Sequence, residues 1–441
     1  MKKTLLLLLV LTLVLALPGC NSKPPVYDET KLIELGRSYA ENMAVGEFSP
    51  VVKAFNATVA KSLTQEALAS SWASVVASVG AYQSVYETTV SYSTDYAVVL
   101  VILQYESSGI QTKFTFEKDY KIAGLWTNYY TIDVPLVSNS SFEESKIQIV
   151  TKADQPLDGI FTMPLGIERP PVVILVQGSG QSDMNESIGG NKPFRDLAQG
   201  LADQGIASIR YNKRFYQYPP ASAEAITGLT VQQEITDDVA SAIQLAKEML
   251  PESTFYIVGH SMGGMLAPYI ASVNPQVNGI VILAGTPRKL EDVMLDQTID
   301  ALAASTEYTD AQKADMLAQN KAEVAKIKAL TAADLATTVS GQPASYWLSL
   351  NAIDTAKLAA DLQIPISILQ GDADFQVKVA TDFAAWQQCL DGHANVQFKV
   401  YEGLNHLFMP TTGAKDVSDY NIASNVSQTV IDDIAAWING Q

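Results

Sequence analysis

Apolar residues recur at helical spacing in the first part of the chain and at strand spacing in the part that follows. Between Glu29 and about Ser78 the spacing is typical of amphipathic helices. From Ala81 onward, stretches rich in Val, Ile, Thr, Tyr and Phe are separated by turn residues. They predict strands at 82–92, 95–105, 110–119 and 121–133. Helices followed by an antiparallel meander predict a small α+β domain over residues 29–135.

The pattern changes after Pro135 to an alternation of strands and helices. Residues 172–176 are continuously apolar, as expected of a strand buried on both faces. The predicted strands are 146–150, 172–176, 207–211, 255–258, 279–283, 364–370 and 396–401, and the predicted helices are 194–204, 230–249, 264–272 and 426–439. This alternation predicts an α/β domain over residues 140–441, with a mostly parallel sheet between helices. Residues 287–362 show no strand pattern and predict an inserted helical cap.

The N-terminus has the layout of an export signal. Lys2 and Lys3 precede an apolar run over residues 5–17, which is short for a membrane span and typical of a secretory signal. The run ends in Leu-Pro-Gly-Cys20, which resembles the bacterial lipobox. This resemblance predicts a signal peptide over residues 1–19, a diacylglyceryl group on Cys20 whose two acyl chains anchor the protein in a membrane, and a tether over residues 20–28. An ordinary secretory signal with a chance cysteine is the alternative.

The composition and net charge of the chain limit the kinds of molecule that it is expected to bind. With 47% hydrophobic and 17% charged residues, the 441-residue chain can bury a sizeable core. Its 29 Lys and Arg against 47 Asp and Glu give a net charge of -18, which argues against a nucleic-acid partner. Removal of Lys2 and Lys3 with the signal changes the balance to -18 minus 2, or -20. Lipidation of Cys20 would leave Cys389 as a free thiol, so no intramolecular disulfide is expected.

A serine in a strand–turn–helix context is the strongest candidate for chemistry. Residues 259–263 read Gly-His-Ser-Met-Gly, with a predicted strand before them and a predicted helix after them. Small residues on either side of Ser261 permit a sharp turn, and its hydroxyl then stands clear of the sheet at a helix N-terminus. We therefore interpret Ser261 as a nucleophile, which needs a base to take its proton.

The chain has three histidines and so few candidates for that base. His260 is interpreted as a packing residue and His393 as a solvated loop residue. His406 follows the last predicted strand, at the edge of the sheet where active sites of parallel sheets collect, and is the preferred base. The acid that orients it is expected just after the strand at 364–370, where either Asp372 or Asp374 can serve. Asp374 is favoured, with Asp372 as a turn-forming aspartate.

Attack of Ser261 on a carbonyl group forms a tetrahedral intermediate with an oxyanion. This oxyanion needs two backbone N–H donors. One is expected from Met262, the residue after the nucleophile. The other is expected from the Gln-Gly-Ser-Gly turn after the strand at 172–176, where Ser179 is the leading candidate. The chain order Ser261, Asp374, His406 is that of an α/β-hydrolase.

Several motifs together resemble bacterial α/β-hydrolases of the dienelactone-hydrolase-like esterase group. They are the stretch at 173–180, Gly-Asn-Lys-Pro-Phe at 190–194, Arg-Tyr-Asn-Lys-Arg at 210–214, the serine turn, the run at 370–377 and Gly-Leu-Asn-His at 403–406. Residues 27–135 are similar to a small domain of unknown function that often precedes these hydrolases. Two positions depart from the family pattern: Gln177 replaces a frequent histidine, and Asn212 replaces a frequent aspartate.

The resemblance implies carboxylic-ester hydrolysis through an acyl-serine intermediate, with Ser261, Asp374 and His406 as the triad. A small to medium acyl ester is the expected substrate, and Tyr346 and Trp347 of the cap either line an acyl pocket or pack the cap. No motif for a metal or nucleotide is present, and this chemistry needs no cofactor. A peptidase or acyltransferase with the same triad, or a non-catalytic cell-envelope binding protein, are the alternatives.

Overall fold

The computed structural model describes residues 27–76, 79–93, 95–105, 109–130, 135–220, 226–306 and 308–441. Of these, the residues within Met1–Val134 and Ile188–Gly190 form one compact unit, and those within Pro135–Ser187 and Asn191–Gln441 form another. The predicted signal and Cys20 lie outside the described residues. None of the described helices has the length and apolar character needed to cross a bilayer.

The first unit is an antiparallel sheet with helices packed on one face, as predicted. Its elements are α1 (Glu29–Ala44), α2 (Ser49–Lys53), α3 (Ala57–Ser62), α4 (Gln65–Val76), β1 (Tyr82–Tyr92), β2 (Ala97–Tyr105), β3 (Gly109–Phe116) and β4 (Ile122–Tyr130). The strands pair in the order β1-β2-β3-β4. Alternate residues of β2 and β3, such as Val99, Val101 and Phe114, bury against Leu32 of α1 and Trp72 of α4. Asp28 caps α1 by accepting from the N–H of Lys31.

The second unit is a mostly parallel sheet. Its elements outside the cap are β5 (Phe142–Ile149), β6 (Leu157–Pro164), β7 (Val172–Val176), α5 (Pro193–Ala202), β8 (Ala207–Tyr211), α6 (Arg214–Gln217), α7 (Asp237–Met249), β9 (Phe255–His260), α8 (Met262–Val273), β10 (Val277–Leu283), and then β13 (Ile366–Gly371), α13 (Ala384–Cys389), β14 (Val396–Tyr401) and α14 (Gln428–Asn439). The described strands form one eight-stranded sheet in the order β14-β13-β10-β9-β7-β8-β6-β5. Strand β6 runs antiparallel to both of its neighbours, β5 and β8, and the other described pairs in this sheet are parallel. The predicted α/β-hydrolase class is confirmed.

The cap lies in sequence between β10 and β13. Its elements are α9 (Leu290–Ala304), α10 (Asp310–Ala329), β11 (Thr338–Val339), β12 (Gln342–Pro343), α11 (Ala344–Asn351) and α12 (Thr355–Asp361). Thr309 and Gln312 form a capping box that begins α10. The short ribbon of β11 and β12 was not predicted, because two-residue strands have no detectable periodicity. Strand β6 was also not predicted, because Asp158 and Gly159 interrupt its apolar pattern.

Both faces of the sheet are covered by helices. Val172, Ile174 and Val176 of β7 share a core cluster with residues of α7 and α8. On the opposite face, the ring of Tyr256 in β9 lies 6.1 Å from that of Trp437 in α14. Strands β7 and β9 are therefore central, and their carboxyl ends lie in the middle of the edge where sites of parallel sheets form.

Candidate active site

Ser261 lies between β9 and α8 in a conformation that few residues adopt. Its φ and ψ are 53° and -116°, and a positive φ is costly for a residue with a Cβ, so such strain clusters at functional sites. The backbone is crowded around it: a Cβ at Gly259 would lie 2.3 Å from the carbonyl oxygen of Gly263, and a Cβ at Gly263 would lie 2.1 Å from that of Val176. The local structure is thus the sharp strand–turn–helix that the sequence predicts.

His406 and Asp374 form a buried hydrogen-bonded pair. Nδ1 of His406 lies 2.7 Å from Oδ2 of Asp374, and both residues are buried. Since a carboxylate only accepts hydrogen bonds, the N–H at Nδ1 is the donor, and Nε2 is the unprotonated nitrogen of the neutral ring. An imidazole in this tautomer is suited to take a proton from a hydroxyl group.

The Asp374 carboxylate is held through both of its oxygens. Oδ1 accepts hydrogen bonds from the backbone N–H groups of Gln376 at 2.7 Å and Val377 at 2.9 Å. Oδ2 accepts one from Nε2 of Gln370 at 2.8 Å, in addition to that from His406. Four donors fix the orientation of the carboxylate and, through it, the orientation of the imidazole ring.

The loops that carry these two residues are in contact. They follow β13 and β14, which pair in parallel. A Cβ at Gly371, the last residue of β13, would lie 2.2 Å from the carbonyl oxygen of Leu404 in the second loop. Asp372 is exposed and accepts a hydrogen bond from the backbone of that loop at 2.7 Å. Of the two aspartates that the sequence leaves open, Asp374 is therefore the one bonded to His406, and Asp372 belongs to the turn.

His260 connects the serine turn with the His406 loop. The centroids of the two imidazole rings are 4.7 Å apart, and Nε2 of His260 lies 2.9 Å from the His406 carbonyl oxygen. Because a carbonyl only accepts, Nε2 of His260 carries a proton. The side chain is buried, as expected of a packing residue, but its polar contacts were not predicted. His393, in contrast, is partly exposed in the turn after α13.

The loop after β7 lies against Ser261. A Cβ at Gly178 would lie 3.1 Å from Cβ and 3.6 Å from Oγ of Ser261. The backbone N–H of Ser179 has no hydrogen-bond acceptor among the described residues. Met262 is the first residue of α8, where N–H groups have no acceptor within the helix. Among the described residues, neither of the two predicted oxyanion donors, the N–H groups of Ser179 and Met262, has a hydrogen-bond acceptor.

Two buried charged side chains hold Gly178, and neither was found by sequence analysis. Its N–H donates to Oε1 of Glu186 at 2.6 Å, and its carbonyl accepts from Nζ of Lys213 at 2.9 Å. Nζ of Lys213 also lies 3.4 Å from Oε1 of Glu234. Glu186 lies in a segment without a periodic pattern. The sequence indicates the position of Glu186 only indirectly. If His260, next to Ser261, is buried, its ring nitrogens must face a hydrogen-bond acceptor.

Glu186 is the buried carboxylate that faces the His260 ring. Its Oε2 lies 3.0 Å from Nδ1 of His260, as an ion pair rather than a linear hydrogen bond. Burial by itself lowers the pKa of His260, but the Glu186 carboxylate and the His406 carbonyl stabilise the protonated ring, and the net effect is a raised pKa. The surroundings of His260 therefore favour its protonated ring, and its two nitrogens face Glu186 and the His406 loop.

The two departures from the family pattern have structural contacts. Nε2 of Gln177 donates to the carbonyl of Tyr211, at the end of β8. Oδ1 of Asn212 accepts from the backbone N–H of Met184 at 2.8 Å, and its Nδ2 donates to Gln217 at 3.2 Å. Both amides support the segments around the Gly178 loop.

Of the two cap aromatics, Tyr346 is the one beside the site. Its hydroxyl lies 3.8 Å from Sδ of Met262, the residue after Ser261. Burial, with a smaller contribution from Glu234, raises the pKa of Tyr346, so its hydroxyl stays neutral. The indole N–H of Trp347 donates to the carbonyl of Val339 at 2.9 Å and holds the cap to its own ribbon. No group of three or more His, Cys, Asp or Glu suited to a metal ion occurs within the described ranges.

The fold and this site define an α/β-hydrolase. The family described as serine aminopeptidase, S33, matches residues 184–410, and a family of proteins of unknown function, DUF3887, matches residues 37–125. Esterase EstD from Thermotoga maritima is 31% identical over 410 residues, which cover 91% of this chain and 93% of the relative. The chain therefore belongs to this family of α/β-hydrolases and is a serine ester hydrolase with an additional N-terminal domain. The predicted resemblance to α/β-hydrolase esterases is confirmed.

Solved structures similar to this chain include Est1E from Butyrivibrio proteoclasticus and a dienelactone hydrolase from Anabaena variabilis. Est1E is 13% identical with a TM-score of 0.44, over 67% of this chain and 99% of its own. The dienelactone hydrolase is 13% identical with a TM-score of 0.40, over 68% of this chain and 98% of its own.

Proposed function

We propose that this protein is a lipid-anchored serine carboxylesterase that hydrolyses small to medium acyl esters with Ser261, His406 and Asp374 as its triad. In the first half of the reaction, Oγ of Ser261 attacks the ester carbonyl while Nε2 of His406 takes the hydroxyl proton. The carbonyl oxygen becomes an oxyanion that accepts hydrogen bonds from the N–H groups of Met262 and Ser179. The intermediate collapses, the C–O bond to the alcohol breaks, and His406 returns its proton to the leaving alcohol.

The second half repeats these roles with water. His406 takes a proton from a water molecule, which attacks the acyl group on Ser261. A second oxyanion forms in the same position and collapses, the bond to Oγ breaks, and the proton passes from His406 to Ser261. Asp374 stays ionised and stabilises the imidazolium in both halves.

The observation that supports this proposal most is the 2.7 Å bond between His406 and Asp374. In the neutral ring this bond fixes the tautomer in which Nε2 can accept a proton, and the loop that carries His406 is connected through His260 to the turn that carries Ser261.

The test is hydrolysis of p-nitrophenyl acetate and butyrate by wild type and Ser261→Ala. We expect kcat to fall by on the order of 10⁴- to 10⁶-fold with the circular dichroism spectrum unchanged. Ser272→Ala is the matched control, since Ser272 is exposed on the same helix α8, and it should retain wild-type kcat. Equal activity of Ser261→Ala and wild type would refute the role of the serine.

Ester specificity needs a separate comparison, because the matching family is described as an aminopeptidase. A butyrate ester and the matched anilide present the same acyl group to the site. The proposal expects the ester to have the higher kcat/KM after correction for the uncatalysed rates. Preference for the anilide would support a peptidase.

The anchor is proposed from the lipobox-like segment ending in Cys20 and from charge. About -20 on the chain without residues 1–19 is repelled by anionic headgroups, so surface electrostatics cannot hold the protein at a membrane. We expect labelled palmitate to be incorporated into wild type and not into Cys20→Ala, with Cys389→Ala as the control. Label retained in Cys20→Ala would contradict lipidation at this residue.

A further inference from the structure

We propose that Lys213 is a positioning residue that sets the direction of the Ser179 N–H for binding the oxyanion. This inference rests on the proposed function and adds a residue to it. The starting observation is that Nζ of Lys213 lies 2.9 Å from the carbonyl oxygen of Gly178. That carbonyl belongs to the same peptide unit as the N–H of Ser179.

A planar trans peptide links the two groups rigidly. Its C=O and N–H point in opposite directions, so a cation that anchors the Gly178 carbonyl turns the Ser179 N–H away from Lys213. The Ser179 N–H has no acceptor among the described residues. Gly178 lies against Ser261, with the position of a Cβ 3.6 Å from Oγ. The peptide unit that carries the Ser179 N–H therefore adjoins the nucleophile, and this N–H has no acceptor that would compete with a negative charge there.

Without an anchor, this peptide would have another orientation available. Gly178 and Gly180 flank Ser179, Gly180 has a φ of 83°, and glycine resists peptide rotation less than other residues. A rotated peptide would present the Gly178 carbonyl where the N–H should be and would repel the oxyanion. A hydrogen bond from a buried ammonium group favours the productive orientation, since charge-assisted bonds are strong where water is excluded.

The peptide unit between Gln177 and Gly178 is also held by a charged side chain. Its N–H donates to Glu186 at 2.6 Å, so both peptides flanking Gly178 are held by a buried charge. Lys213 has its own counter-ion in Glu234, whose Oε1 lies 3.4 Å from Nζ, while Nζ also reaches the Gly178 carbonyl. The cation also withdraws electron density through the peptide and makes the Ser179 N–H a better donor.

The test separates positioning from a structural role by using a probe of the oxyanion position. Butylboronic acid adds to Oγ of Ser261, the hydroxyl proton passes to His406, and boron becomes a tetrahedral anion with an oxygen in the oxyanion position. For Lys213→Met we expect kcat on p-nitrophenyl butyrate to fall roughly 10- to 100-fold and the Ki of the boronic acid to rise by a similar factor. KM should stay within about threefold, because the lost interaction forms only with the tetrahedral species.

Arg214→Met is the matched control. Arg214 is the next residue, is equally buried, and pairs with Asp238 instead of the Gly178 loop. It should lower the melting temperature while leaving kcat and the boronic acid Ki within about threefold of wild type. Lys213→Gln, which keeps a polar group beside Glu234, is the second variant if Lys213→Met does not fold, and the same parallel loss is expected. Lys213→Arg should recover most of both quantities.

Three results would overturn the inference: wild-type kcat and Ki in the folded Lys213 variant, a loss no larger than in Arg214→Met, or a rise in KM alone. Failure of the proposed function has a different signature. In that case wild type itself neither hydrolyses the ester nor reacts with a fluorophosphonate, whereas an active wild type with unaffected Lys213 variants refutes only the role of Lys213.

Discussion

Nδ1 of His260 lies 3.0 Å from Oε2 of Glu186, and this pair joins three loops. Glu186 accepts from the Gly178 N–H, and His260 donates to the His406 carbonyl. The loop of the proposed oxyanion donor, the serine turn and the loop of the proposed base are therefore connected through one buried ion pair. We therefore expect a change in the charge of the Glu186–His260 pair to affect all three loops.

The pair predicts a pH-dependent stability. The pKa of His260 is raised in the folded state above its ordinary value of 6.5, so the protonated ring stabilises the fold below about that pH. This contribution is lost as the pH rises through the raised pKa. Glu186→Gln keeps an acceptor for Gly178 but removes the charge that favours the imidazolium. We expect its deficit in unfolding free energy, measured with urea, to be largest near pH 6 and smaller near pH 9.

Glu252→Gln is the control for this prediction, because Glu252 forms only an exposed pair with Arg169 and surface pairs contribute little. Its unfolding free energy should follow that of wild type at each pH. A deficit of Glu186→Gln that is constant from pH 6 to 9 would argue against a charged His260.

Asp374→Asn is expected to lower kcat by roughly 10⁴-fold. Oδ1 of Asp374 already accepts two backbone N–H groups, so the amide oxygen of asparagine must occupy that position. Its NH₂ group then faces the donors of His406 and Gln370, and the imidazole loses the tautomer that leaves Nε2 unprotonated. Asp372→Asn, in the exposed turn, should keep kcat within about threefold. The opposite ranking in p-nitrophenyl butyrate hydrolysis would assign the acid to Asp372.

Gly371→Ala tests the contact between the acid and base loops. The new Cβ would lie 2.2 Å from the Leu404 carbonyl oxygen, so one of the loops must move. A displacement near 1 Å at the reacting groups lowers the rate on the order of 10²-fold, and we expect such a fall in kcat together with a lower melting temperature. Gly124→Ala is the control, since its Cβ would meet Thr115 at 3.4 Å, an ordinary contact. Unchanged kcat in Gly371→Ala would show that the close approach is dispensable.

Tyr346→Ala is expected to shift the acyl preference toward longer chains. Its hydroxyl lies 3.8 Å from Met262 Sδ, so removing the ring opens space beside the serine turn. The ratio of kcat/KM for octanoate over acetate should rise roughly 10-fold, at a cost of about 3–5 kcal/mol in stability. Tyr346→Phe keeps the ring and should keep the wild-type ratio. An unchanged ratio in the alanine variant would place the acyl group elsewhere.

The sequence is informative where chemistry follows a strand directly. Ser261 and Asp374 come just after the buried strands β9 and β13, and His406 follows the edge strand β14, in which polar and apolar residues alternate. Parallel strands bring their carboxyl ends to one edge. Most boundaries of the predicted helices and strands agree to within about four residues, since core-facing periodicity sets them. The exception is the predicted helix 230–249, because Gln232–Thr236 form a π-helical turn before α7. Asp374 was preferred over Asp372 only by its distance from the strand end, and the structure adds the reason in the backbone donors of Gln376 and Val377.

The contacts of Glu186 and Lys213 with the Gly178 loop could not be predicted from the sequence. Glu186 and Lys213 lie in segments between periodic elements, where a charged residue is expected to face water. Their burial depends on partners distant in the chain: Glu186 on His260, and Lys213 on Glu234 and the Gly178 carbonyl. Local patterns hold no information on such pairs, because the partner is defined only after the sheet has brought the loops together.

The order of strands has a consequence for when activity appears. Ser261 follows the central strand β9, whereas the proposed acid and base follow β13 and β14, which come later in the chain and form one edge of the described sheet. An unfinished chain that ends before β13 holds Ser261 without the residues proposed to activate it. Ester hydrolysis would therefore report completion of this edge of the sheet, and loss of β14 with the loop after it would remove the proposed base while strands β5 to β10 are still present.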